Sequence, residues 1–244
     1  VVDNMATSSS IAVKGATASA MASSITLDLH NSSGDLDIAG ALSIQNVSTL
    51  NLASNGGLTG TATTGENGFT VDGDFTTINF TGDSTIDTTM NIDGAGAAGT
   101  TARTTTVDAS GMTGVARLEL DTDGSAYVTY VITGTANGDT ITAAGTINGG
   151  AGADTLAGTA GADTIDAGAG ADTVTITAGA DSITLGDGAD TMDLNGTEPG
   201  TAAVQHVIVT GDADATLTTV AAEDDFIVTV NGKSYKMDVA TNGD

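Results

Sequence analysis

The sequence predicts an all-β chain wound as an elongated parallel solenoid, and three observations predict it. Short runs of Thr, Val and Ile are split throughout by Gly, Asn and Asp, a pattern of brief strands joined by tight turns. Hydrophobic residues make up 39% and aromatics 3% of the 244 residues, with no Trp, so any interior must be thin. Residues 149–193 repeat with a period of nine, the mark of a chain that stacks one small unit on another.

Taken in order, residues 1–23 read as an N-terminal arm or strand-exchange segment. Period-two alternation marks strands at 24–29, 36–44, 49–52, 76–80, 88–92 and 115–120 within a Thr/Ala/Gly-rich solenoid over 24–136. Turns such as Asn55-Gly56-Gly57 and Val71-Asp72-Gly73-Asp74 punctuate them. The repeat region spans 137–197. Residues 198–244 form a C-terminal cap or assembly module, in which 204–209, 226–230 and 234–239, with the Asn231-Gly232 turn, predict a separate hairpin-based unit. Such a cap would cover the backbone edge that a bare coil end exposes.

The tripeptide Gly-Ala-Asp recurs five times, so that Asp154, Asp163, Asp172, Asp181 and Asp190 follow one another at nine-residue steps. Two positions after each comes an apolar residue: Leu156, Ile165, Val174, Ile183 and Met192. Residues 149–157 fit every position of G-G-x-G-x-D-x-U-x, the nonapeptide of RTX proteins, which this region resembles. Later units keep the Gly of Gly-Ala-Asp, the Asp and the apolar residue, but lose parts of the leading Gly-Gly, as at Ala167-Gly168 and Ile176-Thr177. Asn137-Gly138-Asp139 resembles a partial unit, fifteen residues before Asp154 and out of simple phase.

The resemblance implies a β-roll in which each nonapeptide is a half turn and equivalent residues lie eighteen apart. Asp154, Asp172 and Asp190 would then line one edge and Asp163 and Asp181 the other, while the apolar residues stack as a Leu/Val/Met ladder and an Ile ladder. Carboxylates at the parallel-strand spacing of about 4.8 Å repel by about 0.9 kcal/mol in water, and by several times more near a protein surface. Several Ca2+ ions suit such a ladder, because calcium accepts six to eight oxygen ligands from carboxylates and backbone carbonyls, whereas magnesium holds a rigid octahedron and keeps its waters. The expected metal residues are Gly150, Gly152, Asp154, Gly161, Asp163, Gly168, Gly170, Asp172, Gly179, Asp181, Gly188, Asp190 and Asp139. Glycine there lets each loop turn sharply and aim its carbonyls inward. The alternative is a metal-free turn in which Asp caps backbone N–H groups.

Residues 46–54 and 106–114 also resemble segments of bacterial surface-layer proteins of the Caulobacter type. That resemblance implies an elongated solenoid interrupted by calcium sites, in molecules that tile into a lattice around the cell.

Five Lys plus Arg against 31 Asp plus Glu leave a net charge of −26, which repels nucleic acid and anionic membranes and favours cations. Such acidity also suits a disordered chain, but a mean hydropathy of +0.12 and the regular apolar spacing favour folding. No cysteine is available for disulfides or thiolate sites, no apolar run approaches a membrane span, and residues 1–15 lack a signal-peptide layout. Starting at Val1, the chain reads as a processed product or a piece of something longer.

Catalytic signatures are missing. Asp121-Thr122-Asp123-Gly124 opens like an EF-hand loop, but Ile132 stands where the twelfth-position Glu is needed. His30 and His206 lie far apart, and no nucleophile elbow, zincin helix or Walker loop occurs. A polysaccharide lyase or epimerase on a similar solenoid needs clustered cationic groups, whereas Lys14, Arg103, Arg117, Lys233 and Lys236 are scattered. The sequence therefore points to a non-enzymatic, secreted structural protein that folds on calcium and self-assembles on the cell surface as a layer or filament. An adhesin segment, or the calcium-dependent module of a secreted polysaccharide-modifying enzyme, is the alternative. The expected partners are copies of the chain itself and a cell-envelope polysaccharide.

Overall fold

The computed structural model describes residues 9–12, 24–29, 41–54, 70–72, 75–83, 86–91, 103–120, 128–175, 177, 179–194, 206–209, 216–220, 225–230 and 233–238. Every regular element among them is a strand, so no helix there is long and apolar enough to cross a membrane. His30, Asp121, Asp123 and Ile176 lie outside the described residues. The chain divides into two compact units, Val1–Thr135 and Ala136–Asp244.

In the first unit consecutive strands alternate between two sheets, which is how a solenoid adds one strand to each sheet per coil. One sheet runs β1 (Ser9–Ala12), β3 (Ala41–Gln45), β5 (Thr70–Asp72), β7 (Ile86–Asn91) and β9 (Ala116–Leu120), parallel throughout. The other runs β2 (Ile25–Leu29), β4 (Thr49–Ser54), β6 (Thr77–Gly82), β8 (Arg103–Met112) and β10 (Val128–Thr133), also parallel. Alternate residues of β4 and β6 are buried, as the period-two pattern requires. Parallel register then stacks like on like: Leu50 pairs with Ile78 and Ile78 with Val107, while Leu27, Leu52 and Phe80 form a second column. Phe75, Phe80 and Tyr130 are all buried here, so three of the seven aromatic side chains fill this unit's interior. Asn79 Nδ2 donates to Asn51 Oδ1 at 2.8 Å, extending the stacking to an amide ladder on the outer face.

The second unit repeats the same alternation between two sheets. One sheet runs β11 (Thr140–Thr142), β13 (Thr155–Ala157), β15 (Thr173–Thr175), β17 (Thr191–Leu194) and β19 (Thr216–Val220). Its partner runs β12 (Gly145–Ala151), β14 (Thr164–Ala169), β16 (Ser182–Thr184), β18 (His206–Val209) and β20 (Asp225–Val230). Leu156, Val174 and Met192 stack in one sheet and Ile147, Ile165 and Ile183 in the other, all buried. These are the two apolar ladders that the repeat predicts.

Parallel pairing continues through β18, β19 and β20. The hairpin unit expected over 204–239 is therefore confined to β20 and β21 (Lys233–Asp238), the antiparallel pair. The alternation of Thr and Val in 204–230 suits either pairing, so local sequence does not choose between them.

Candidate metal centre along the acidic ladder

The buried residues of the second unit combine two classes that rarely mix. Among the described residues its apolar core is purely aliphatic, and set into it are six buried aspartates: Asp139, Asp154, Asp163, Asp172, Asp181 and Asp190. Each is at most 3% exposed, although ionised carboxylates are among the costliest groups to bury.

Backbone register fixes them in two rows. Along one edge, Asp139 N donates to Asp154 Oδ1 at 2.7 Å, Asp154 N to Asp172 Oδ1 at 2.8 Å, and Asp172 N to Asp190 Oδ1 at 3.0 Å. Along the other, Gly145 N donates to Asp163 Oδ1 at 2.6 Å and Asp163 N to Asp181 Oδ1 at 3.0 Å. The main chain locks the same rungs: Thr155 N donates to Asp139 O, Thr173 N to Asp154 O, Ser182 N to Asp163 O and Thr191 N to Asp172 O, at 2.7–2.8 Å. Asp139, fifteen residues before Asp154, thus stands in line with rungs eighteen apart. Its coil is three residues shorter, with Gly145 at φ +113° in the place of an aspartate.

Oδ1 of Asp154, Asp172, Asp181 and Asp190 therefore caps the N–H of the preceding aspartate in its row, and Oδ1 of Asp163 that of Gly145, which is the turn-capping role open to such aspartates without metal. The second oxygen decides the chemistry. Asp154 Oδ2 and Asp172 Oδ2 are buried and carry no hydrogen bond. An orphaned buried carboxylate oxygen is costly unless a cation or water satisfies it.

The loops beside these oxygens bring backbone carbonyls close. A methyl built on Gly149 would lie 2.6 Å from both Asp154 Oδ2 and Ala167 O, so carboxylate and carbonyl share the space that this glycine leaves open. Above it, Gly150, Gly168 and Gly186 form one column and Gly152, Gly170 and Gly188 another, all with positive φ. Such a set of hard oxygens fits calcium, which Asp154, Asp172 and the loop carbonyls would hold. No three acidic or imidazole side chains converge on a point among the described residues, so the donors form a ladder rather than a cluster.

Electrostatics agrees with an unneutralised row. Burial pushes Asp154 up to about 6, opposed by the Asp139 N–H and reinforced by the charges of Asp139 and Asp172. Burial also raises Asp172, opposed by the Asp154 N–H and reinforced by Asp190. A raised carboxylate favours the neutral form in the fold, so its contribution is present below the ordinary value near 3.8 and is lost as pH rises towards about 6. Without calcium, the melting temperature should fall between about pH 4 and 6; with calcium, which binds the ionised form, it should rise over the same window. Melting curves with the same slope in both conditions would remove the ladder from the account.

Of the residues expected at the metal, the described structure brings Gly150, Gly152, Asp154, Gly168, Gly170, Asp172, Gly188, Asp190 and Asp139 to one edge, and Gly161, Asp163, Gly179 and Asp181 to the other. Gly149 and Gly186 also lie along the first edge, and Thr159 and Thr177 along the second. Reading the first and second positions of every unit, glycine or not, would have found them.

The family model for the RTX calcium-binding nonapeptide repeat matches four copies, over residues 142–174 and 177–196. The break falls at Ile176, where the unit departs from the motif. No curated protein and no solved structure matches the chain. RTX nonapeptide repeats bind calcium ions, and proteins that carry them are typically secreted and extracellular, with structural or adhesive roles.

Proposed function

We propose that this chain is a secreted, non-enzymatic structural protein that folds on calcium outside the cell and associates with copies of itself there, as a surface layer or filament. The observation that carries the reading is the row of buried aspartates whose free oxygens, on Asp154 and Asp172, have no partner. Sites of extracellular modules hold calcium with Kd of about 10⁻⁴ to 10⁻³ M, so they fill outside the cell and stay empty in the cytosol. The coil then sets only after export. Calcium also offsets part of the net charge of −26, which otherwise opposes contact between copies. β1, which pairs with β3 within this chain, would exchange for the same strand of a copy, β20 and β21 would form a cap, and an envelope polysaccharide would give a point of attachment.

The adhesive role typical of RTX proteins supports a second reading, that of an adhesin segment. A module of a polysaccharide-modifying enzyme has less behind it, since the basic residues are few and scattered. Electron microscopy and sedimentation of the full chain, with calcium and with chelator, separate these readings. Sheets or fibres that form in calcium and dissolve in chelator are expected. Single particles of unchanged sedimentation in both conditions would reject self-assembly.

A further inference from the structure

The two rows of aspartates are not chemically alike, and the difference lies in the second residue of each nonapeptide. Along the edge of Asp154 and Asp172 that residue is Gly150 or Gly168, with φ of +108° and +101°. No N–H reaches the second carboxylate oxygen there, and Asp154 Oδ2 and Asp172 Oδ2 remain bare. Along the edge of Asp163 and Asp181 it is Thr159 or Thr177, neither of which has positive φ. Thr159 N now donates to Asp163 Oδ2 at 2.9 Å, so both oxygens of Asp163 are occupied, the other by Gly145 N.

The space that calcium would use differs as well. The gap at Gly149 is bounded by a carboxylate oxygen and the carbonyl of Ala167, two cation ligands. At Gly158, the equivalent position on the opposite edge, a methyl would lie 2.4 Å from Asp163 Oδ2 and 3.1 Å from Thr177 Oγ1. That hydroxyl donates to Thr159 O at 2.6 Å, engaging the carbonyl between the two coils. A hydroxyl bridge joins coil to coil where an ion joins them on the other side.

We infer that calcium binds along one edge only, the row of Asp154 and Asp172, and that Thr159 and Thr177 close the opposite row without metal. The inference rests on the calcium reading above and adds which residues decide where ions enter. Glycine at the second position turns its N–H away and leaves an oxygen for a cation; threonine there supplies an N–H and a hydroxyl in its stead.

The test is the number of calcium ions bound per full-length chain, by equilibrium dialysis, together with melting temperature. Asp154→Asn with Asp172→Asn should lose most of the bound calcium, whereas Asp163→Asn with Asp181→Asn should keep the unmodified number. Should that second pair fail to fold, Thr177→Val carries the same question: it should lower the melting temperature equally in calcium and in chelator, with no ion lost. Thr159→Gly with Thr177→Gly should raise the ion count, because it restores the glycine pattern. Loss of calcium from Thr177→Val, or an unchanged count in the double glycine variant, would overturn the one-sided assignment. An unmodified chain that binds no calcium would instead overturn the functional reading itself.

Discussion

Removing calcium is expected to open the strands from β13 to β17 while leaving β4, β6 and β8 protected. The first unit buries Phe75, Phe80 and Tyr130 beside its aliphatic columns and contains no buried carboxylate among the described residues, so nothing in that described interior calls for a cation. Each fully buried large apolar side chain contributes about 1.5–3 kcal/mol relative to exposure. Among the described residues the second unit has an interior without aromatic side chains and six buried aspartates. Every ion site occupied at ten times its Kd adds about 1.4 kcal/mol, a large share of the roughly 5–15 kcal/mol that holds a domain together. Hydrogen exchange followed by mass spectrometry, with and without chelator, resolves the two units. Uniform protection in both conditions would show that the ladder stands without cations.

A large loss from a single substitution is expected for Gly170→Ala. A methyl at that position would sit 1.6 Å from Gly152 O, inside the backbone of the preceding coil, and φ there is +151°. Gly170 N also donates to Asp187 O at 2.8 Å, so the loop cannot swing aside without breaking a bond to the next coil. Relief requires the coils to part, which costs on the order of 4 kcal/mol or more. Gly161→Ala is the matched control. Its φ of +145° is similar, but nothing lies within 4 Å of the added methyl, so only conformational strain of about 1–3 kcal/mol remains. Urea denaturation in calcium should rank the two clearly. Equal losses would mean that strain, and not contact between coils, governs these loops.

Several parts of this site are legible in the residues alone. A nine-residue step with Asp and an apolar side chain at fixed offsets calls for stacked units, because stacking gives each apolar residue a neighbour of its own kind, and the resemblance to the RTX nonapeptide adds the half turn per unit. The pairing of Leu156 with Val174 and of Ile165 with Ile183 follows from that step. Asp139 escapes the period because one coil is shorter, and the shortening is absorbed around Gly145, where no sequence rule marks it. The continuation of the parallel coil into β18 to β20 is similarly hidden, since strand propensity carries no information about direction.

What the sequence determined by itself was the β architecture of the repeat and the class of its ligand: regular spacing, few bulky residues and an excess of 26 negative charges leave little else that would both stack and bind. What only the tertiary structure decided was the work of each carboxylate oxygen. Oδ1 of Asp154 and Asp172 is taken by a backbone N–H of the neighbouring coil, and Oδ2 is left bare beside glycine. That division depends on φ at residues four positions earlier and on a coil eighteen residues away, and contacts of that range exist only once the chain has wound.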